Sequence, residues 1–274
     1  MMLWQKQVSA SWLVKNEQLL EEFGPEKVAV IARPGRVRSL VQVFCNHRSA
    51  ADRLQRKFGG QTKKLPRNWL ALYQPEKSRA PLRIGNRLEI LSGPSGGPEP
   101  EGKARLIIPA AGAFGTGEHA TTAMSLRLLE ETTRKLRPGW RLLDAGTGTG
   151  ILALAARRLG AGEVIGLDND SRAVAHACSN GRLNLICRAQ FVRADVLAWR
   201  PVHRYDFITA NLFSELLIAA LPIFRRALRT EGQLIISGIL RAQTEAVERA
   251  LDRAGFHLRK KRRRGKWIAL LAGV

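Results

Sequence analysis

Short apolar runs and amphipathic stretches alternate regularly over the second half of this chain. Residues 142–144, 163–168, 190–195, 205–211 and 233–237 carry the compact apolar pattern of buried strands. Between most of them, 151–159, 171–185, 213–228 and 241–254 place apolar residues at helical spacing. Strand–helix alternation of this kind predicts an α/β fold with a largely parallel, doubly wound sheet. The tail, 256–272, has no helix-length apolar pattern and is expected to close as an antiparallel hairpin.

The first sixty residues follow another grammar. Apolar stretches at 28–31 and 40–44 and an opening strand within 4–13 alternate with helical segments at 17–23 and 49–58, which predicts a small α+β domain over 1–60. Residues 92–104 are rich in Gly and Pro and carry no periodicity, so 61–104 is expected to be a linker region and 105–274 the main domain.

Composition adds two points. Hydrophobic residues make up 45% and charged residues 25% of the 274, an ordinary globular profile, and no run of about 18 apolar residues occurs, so a cytoplasmic protein without membrane contact is expected. Cys45, Cys178 and Cys187 lack metal-ligand spacing and are expected to be buried, reduced thiols, with no metal site. The formal charge of +22 changes the picture more, because it implies attraction to a polyanion, RNA first among them. That charge is spread along the chain: 17 Lys+Arg stand against 8 Asp+Glu before residue 100, and 28 against 15 after it.

The strongest local signal is Leu142-Leu-Asp-Ala-Gly-Thr-Gly-Thr-Gly-Ile-Leu152, a strand running through Gly146, Gly148 and Gly150 into a helix. A dinucleotide site would space its glycines Gly-x-Gly-x-x-Gly and offer the helix N-terminus to a pyrophosphate. Here the third glycine comes one residue early and Asp144 precedes the first, an acid that would repel a pyrophosphate but suits a cofactor bearing an ammonium and a sulfonium. Asp168 ends the next strand, 22 residues after Gly146, where a carboxylate accepts ribose hydroxyls. Asp195 closes the third strand, positioned for an adenine amino group or, equally, for a helix N-cap.

Two further segments, Ala113-Phe-Gly-Thr-Gly-Glu-His-Ala-Thr-Thr122 and Thr209-Ala-Asn-Leu-Phe213, complete an ordered set. With all three in sequence the chain resembles the PrmA family, bacterial methyltransferases of large-subunit ribosomal protein eleven. The likeness covers roughly 65–274, with Ala80-Pro-Leu-Arg-Ile-Gly85 and Ser237-Gly-Ile-Leu240 as outlying parts. It implies a Rossmann-like methyltransferase domain binding S-adenosyl-L-methionine, preceded by a small substrate-recognition domain on a movable linker. Carried over by position, the family's cofactor contacts fall on Thr122, Gly146, Asp168 and Asn211. Phe114, Gly115, Thr116 and His119 fall in the loop that helps close the pocket.

The activity so implied is methyl transfer to a protein lysine of a large-subunit ribosomal protein. In-line displacement at a sulfonium asks for alignment and exclusion of water, and the lysine must arrive neutral. Asn211 offers a side-chain carbonyl to the substrate amine or the cofactor. His119 is a proton acceptor by residue type, with a hydrogen bond that fixes its loop as the favoured reading. The run Arg259-Lys-Lys-Arg-Arg-Arg264 reads either as RNA contact or as a solvated hairpin tip. Competing readings are a related methyltransferase acting on another protein lysine or on RNA, and a cofactor- or RNA-binding protein without catalysis. Asn211-Leu-Phe213 lacks the Pro-Pro of enzymes that methylate base or glutamine nitrogens, which counts against part of the first.

Overall fold

In the computed structural model, side chains along each strand of the second half alternate between two cores, one on either face of a single sheet. Leu142, Phe207, Ile235, Ala269 and Leu271 enter one; their neighbours Leu143, Ile208, Ile236, Ile268 and Leu270 enter the other. A sheet buried on both faces needs nearly continuous apolar strands, which is why these segments read as compact runs and not as alternating ones. The structure describes residues 2–16, 23, 28–31, 38–45, 47–65, 81–93, 102–109, 117, 119–201 and 203–274.

Two compact units divide the chain, Met1–Glu76 and Lys77–Val274. The first contains β1 (Met2–Val8), α1 (Ala10–Lys15), β2 (Val28–Ile31), β3 (Ser39–Cys45), α2 (Arg48–Phe58) and β4 (Gln61–Lys64). Its sheet runs β2-β3-β1-β4, with antiparallel neighbours throughout. The strand expected within 4–13 ends at Val8, because Ser9 turns the chain: its Oγ accepts the Trp12 N–H at 3.2 Å and its carbonyl the Leu13 N–H at 3.2 Å, starting a helix. Buried Trp4 donates its indole N–H to Gly59 O at 2.8 Å, tying β1 to the end of α2. Of the helix expected over 17–23, only Phe23 is among the described residues, in a turn.

The second unit begins with a small sheet, β5 (Leu82–Ile84), β6 (Leu88–Leu91) and β7 (Ala104–Ile107), whose first two strands lie inside the stretch expected to be linker and whose third starts at its end. Ile84, Leu88, Ile90 and Leu106 are buried in the first core, so these short strands are held by packing that the Gly- and Pro-rich residues between them conceal. Asn184 fixes β7 by a two-way amide bond, accepting the Ile107 N–H at 2.7 Å and donating to its carbonyl at 2.8 Å.

The main elements follow: α3 (Ala120–Thr132), β8 (Arg141–Ala145), α4 (Ile151–Arg158), β9 (Glu163–Asp168), α5 (Ser171–Leu183), β10 (Ala189–Arg193), β11 (Tyr205–Asn211), α6 (Ser214–Ala227), β12 (Leu228–Leu240), α7 (Thr244–Arg253), β13 (His257–Arg264) and β14 (Trp267–Gly273). The sheet order is β10-β9-β8-β11-β12-β14-β13. Its first five strands are parallel and the last two form the expected antiparallel hairpin. The second unit is thus a Rossmann-like doubly wound α/β fold, and the first a smaller α+β unit. Among the described residues no helix is long and apolar enough to cross a membrane. Cys45 is buried as expected, but Cys178, within α5, is half-buried and Cys187, beyond it, is exposed.

Candidate active site at the sheet's switch point

Strand register brings the candidate residues to one edge. Ala145 on β8 pairs with Leu167 on β9 and with Ala210 on β11, so the next residues, Gly146, Asp168 and Asn211, leave the sheet side by side. The chain winds outward from β8 through β9 to β10 and then returns to β11, making this edge the topological switch point, where open α/β sheets hold ligands.

The glycine turn is built for close approach, not for phosphate. Gly146 has φ 73°, and a Cβ there would stand 2.3 Å from Leu212 Cδ2. A Cβ on Gly150 would press on Ala177 and on the Phe191 ring at 3.0 Å, so that glycine serves the packing of α4. The N–H groups of Gly146 and Thr147 both donate to Leu167 O at 2.8 Å, Gly148 N–H to Asp168 Oδ2 at 2.9 Å and Gly150 N–H to Thr147 O at 2.8 Å. A pyrophosphate site would keep such donors for its ligand. Here they are spent on holding the turn against β9.

Asp168 is half-buried and takes one N–H on each oxygen, from Gly148 on Oδ2 and from Asp170 on Oδ1 at 3.0 Å. A carboxylate has about four acceptor positions, so capacity remains for two hydroxyls. Asp144 differs. It is 1% exposed, with Oδ2 accepting the Thr147 hydroxyl and Oδ1 the Thr209 hydroxyl, each at 2.7 Å. Burial, with a smaller push from the Asp168 charge, raises its pKa to about 6 against the lowering effect of those two hydroxyls and the Ala153 N–H. The ammonium contact expected of Asp144 gives way to a scaffolding role, because its oxygens face threonines inside the fold.

Asp195 lies beyond β10, which stops at Arg193, and its Oδ1 accepts the Leu197 N–H at 2.9 Å. Among the described residues no helix follows before β11, so in place of the expected N-cap this exposed residue closes a local turn. Across the edge, Asn211 Nδ2 donates to Thr122 Oγ1 at 3.3 Å, joining the end of β11 to the first turn of α3. His119 precedes α3 and pairs its Nδ1 with Thr121 Oγ1 at 2.7 Å. Burial, then the charge of Lys266, lower its pKa and favour the neutral ring. Phe114, Gly115 and Thr116 lie outside the described residues.

Sequence reasoning missed three partners. Trp267, at the start of β14, packs edge-on against His119 with centroids 5.2 Å apart, a contact between distant segments that no local pattern announces. Thr209 carries half of the Asp144 cradle; its place two residues before Asn211 on a parallel strand was the available signal. Phe213, 78% exposed directly after the Asn211-Leu212 pair, sets an aromatic ring at the rim. Among the described residues no three His, Cys, Asp or Glu side chains cluster to hold a metal ion.

The family model described as ribosomal protein L11 methyltransferase (PrmA) matches residues 13–273. The chain belongs to this family. The match extends into the first unit, where the motifs alone offered no specific likeness. Family members of known name include the ribosomal protein L11 methyltransferase of Desulforapulum autotrophicum, 44% identical over 161 residues, covering 58% of this chain and 52% of that protein. The Thermus thermophilus protein of the same name is 38% identical over 168 residues, 61% of this chain and 64% of its own. The matched stretches therefore span between half and two thirds of these curated relatives. The crystal structure of ribosomal protein L11 methylase from Lactobacillus delbrueckii subsp. bulgaricus is similar with a TM-score of 0.64 at 30% identity, covering 71% of this chain and 98% of that one.

Proposed function

We propose that this protein is an S-adenosyl-L-methionine-dependent lysine N-methyltransferase acting in the cytoplasm on a ribosomal protein of the large subunit, with RNA as a further contact of its basic surface. The observation that carries the reading is the Thr122–Asn211 bond beside Asp168 at the switch point, in a family member whose glycine turn commits the N–H groups of Gly146, Thr147, Gly148 and Gly150 to protein acceptors.

The residues present fit that cofactor. When bound, S-adenosylmethionine supplies a methyl group activated on a sulfonium. Asp168 accepts the ribose hydroxyls with the capacity its two N–H bonds leave. Thr122 Oγ1 already accepts from Asn211, so its hydroxyl hydrogen is directed to an acceptor, the carboxylate of the amino-acid end. Gly146 lets the backbone come close. Asn211 commits Nδ2 to Thr122, and its Oδ1 remains to accept an N–H of the incoming amine. Apolar neighbours Leu212 and Phe213 favour the neutral amine by making the charged form costly. With the cofactor held by Asp168, Thr122 and Gly146, the sulfonium would supply the methyl group, and the part of Asn211 would be to hold the neutral amine in line with it. Residues 114–116 and Asp195 complete the proposed pocket, His119 fixing its loop through Thr121.

Transfer of a radiolabelled methyl group to undermethylated ribosomal proteins tests this. Label in lysine of one large-subunit protein is expected. Label in RNA or in an unrelated protein would reassign the target, and ligand binding without any transfer would leave a binding protein.

A further inference from the structure

The basic run at 257–266 lies where the sheet ends. β13 is an edge strand, paired on one side with β14, and every residue of His257–Arg264 except half-buried Arg262 is exposed. Edge strands commonly carry a charge or two that blocks pairing with another chain. Six consecutive cations exceed that need, and their mutual repulsion costs stability.

Only part of this charge is neutralised. Glu131 on α3 takes Lys260 at 2.5 Å and Arg262 at 2.6 Å, and Glu248 on α7 takes Lys261 at 2.5 Å. Among the described residues no carboxylate pairs with Arg263, Arg264, Lys266 or Arg241. These four gather at one place: the Arg241 N–H donates to Lys266 O at 2.9 Å, and Arg263 and Arg264 lead into the turn at Gly265. Trp267, the next residue, is the one that packs on His119, so the cationic tip borders the candidate active site.

We propose that the β13–β14 tip, with Arg241, is a docking surface for the phosphate backbone of single-stranded RNA. Alternate residues of a strand stand about 7 Å apart, so Lys260, Arg262 and Arg264 follow one another along one face of β13 and Lys261 and Arg263 along the other, and Arg241 and Lys266 extend this row past the turn. A regular row matches a regular polyanion better than the irregular acidic patches of a protein. Three of the four cations are arginines, whose planar fork binds phosphate oxygens two at a time. The overall charge of +22 adds long-range attraction for the same partner. RNA held here would lie next to Trp267 and the His119 ring it packs on. The inference needs the fold but not the methyl transfer.

The test is fluorescence anisotropy of a labelled oligouridylate with the full chain at several salt concentrations. The Arg241→Gln/Arg263→Gln/Arg264→Gln variant is expected to bind about 100-fold more weakly at 0.1 M salt, with the log–log salt slope shallower by about 2. Arg182→Gln/Arg188→Gln/Arg193→Gln removes equal charge at the opposite side of the sheet and is expected to lose far less. S-adenosylhomocysteine affinity and melting temperature of the tip variant report its integrity independently. The proposal is overturned if wild type does not bind, if the tip variant binds like wild type, if both triple variants weaken alike, or if polyglutamate displaces the RNA at equal charge.

Discussion

Asp144 beneath the glycine turn and Glu130 near the end of α3 are each 1% exposed, yet their surroundings pull them in opposite directions. Asp144 meets two threonine hydroxyls and no cation, and burial lifts its pKa to about 6. Burial would lift Glu130 too, but hydrogen bonds and charge from Arg134 and Arg87 outweigh it and hold the carboxyl below its usual range. Depth alone therefore does not set the state of a carboxylate; the partners do. At the site end of the unit, no cation is among the groups that shift Asp144. The far end of α3 uses its carboxylate as an anchor for Arg87, which follows the turn at Gly85 between β5 and β6.

The largest effect expected from this contrast is at the anchor. Glu130→Ala leaves Arg87 and Arg134 without their carboxylate and should cost about 3 kcal/mol by urea unfolding at pH 7, the low end for a buried pair because both arginines reach solvent. An unchanged midpoint would remove Glu130 from the account.

Nearly as large, and opposite in pH sense, is the effect at Asp144. Its proton is held more tightly in the folded protein than in the unfolded chain, so it favours folding below the unfolded value of 3.8, and that advantage is lost as pH rises through about 6. Asp144→Asn should gain about 3 kcal/mol relative to wild type between pH 4 and 7. Glu130 behaves in reverse: its depressed pKa contributes stability above its ordinary 4.5 that is lost on acidification, so Glu130→Gln should lose ground to wild type as pH rises. Slopes of the same sign for the two variants would break the comparison.

Smaller again is Gly85→Ala. Gly85 has φ 56°, and a Cβ would stand 2.1 Å from Glu130 Oε2, so about 1–3 kcal/mol of strain is expected in thermal or urea unfolding. Smallest is Phe213→Ala, which should leave stability and cofactor affinity unchanged and raise KM for the protein substrate about tenfold, or about 1.4 kcal/mol. A KM equal to wild type would show that the exposed ring does not touch substrate.

Legibility in the sequence followed the range of each interaction. The turn from Asp144 to Ile151, the acid at the end of β9 and the doubly wound order were all visible, because each rests on neighbours or on a repeating period. Ser9 ended β1 early through one side-chain bond that apolar patterning does not register. The β5–β6–β7 sheet was hidden by the loop between its last two strands. The threonine cradle of Asp144 was not legible, since Thr209 stands 65 residues away. Trp267 meets His119 only because β14 folds back antiparallel beside β12.

The most direct test of the switch-point site is calorimetric titration of the wild-type protein and of Asp168→Ala with S-adenosylhomocysteine, each checked for the same thermal unfolding. Loss of charge-assisted hydrogen bonds should weaken binding by about 30-fold or more, near 2 kcal/mol, with the fold intact. Equal affinity in the folded variant, or no binding by wild type, would contradict the account.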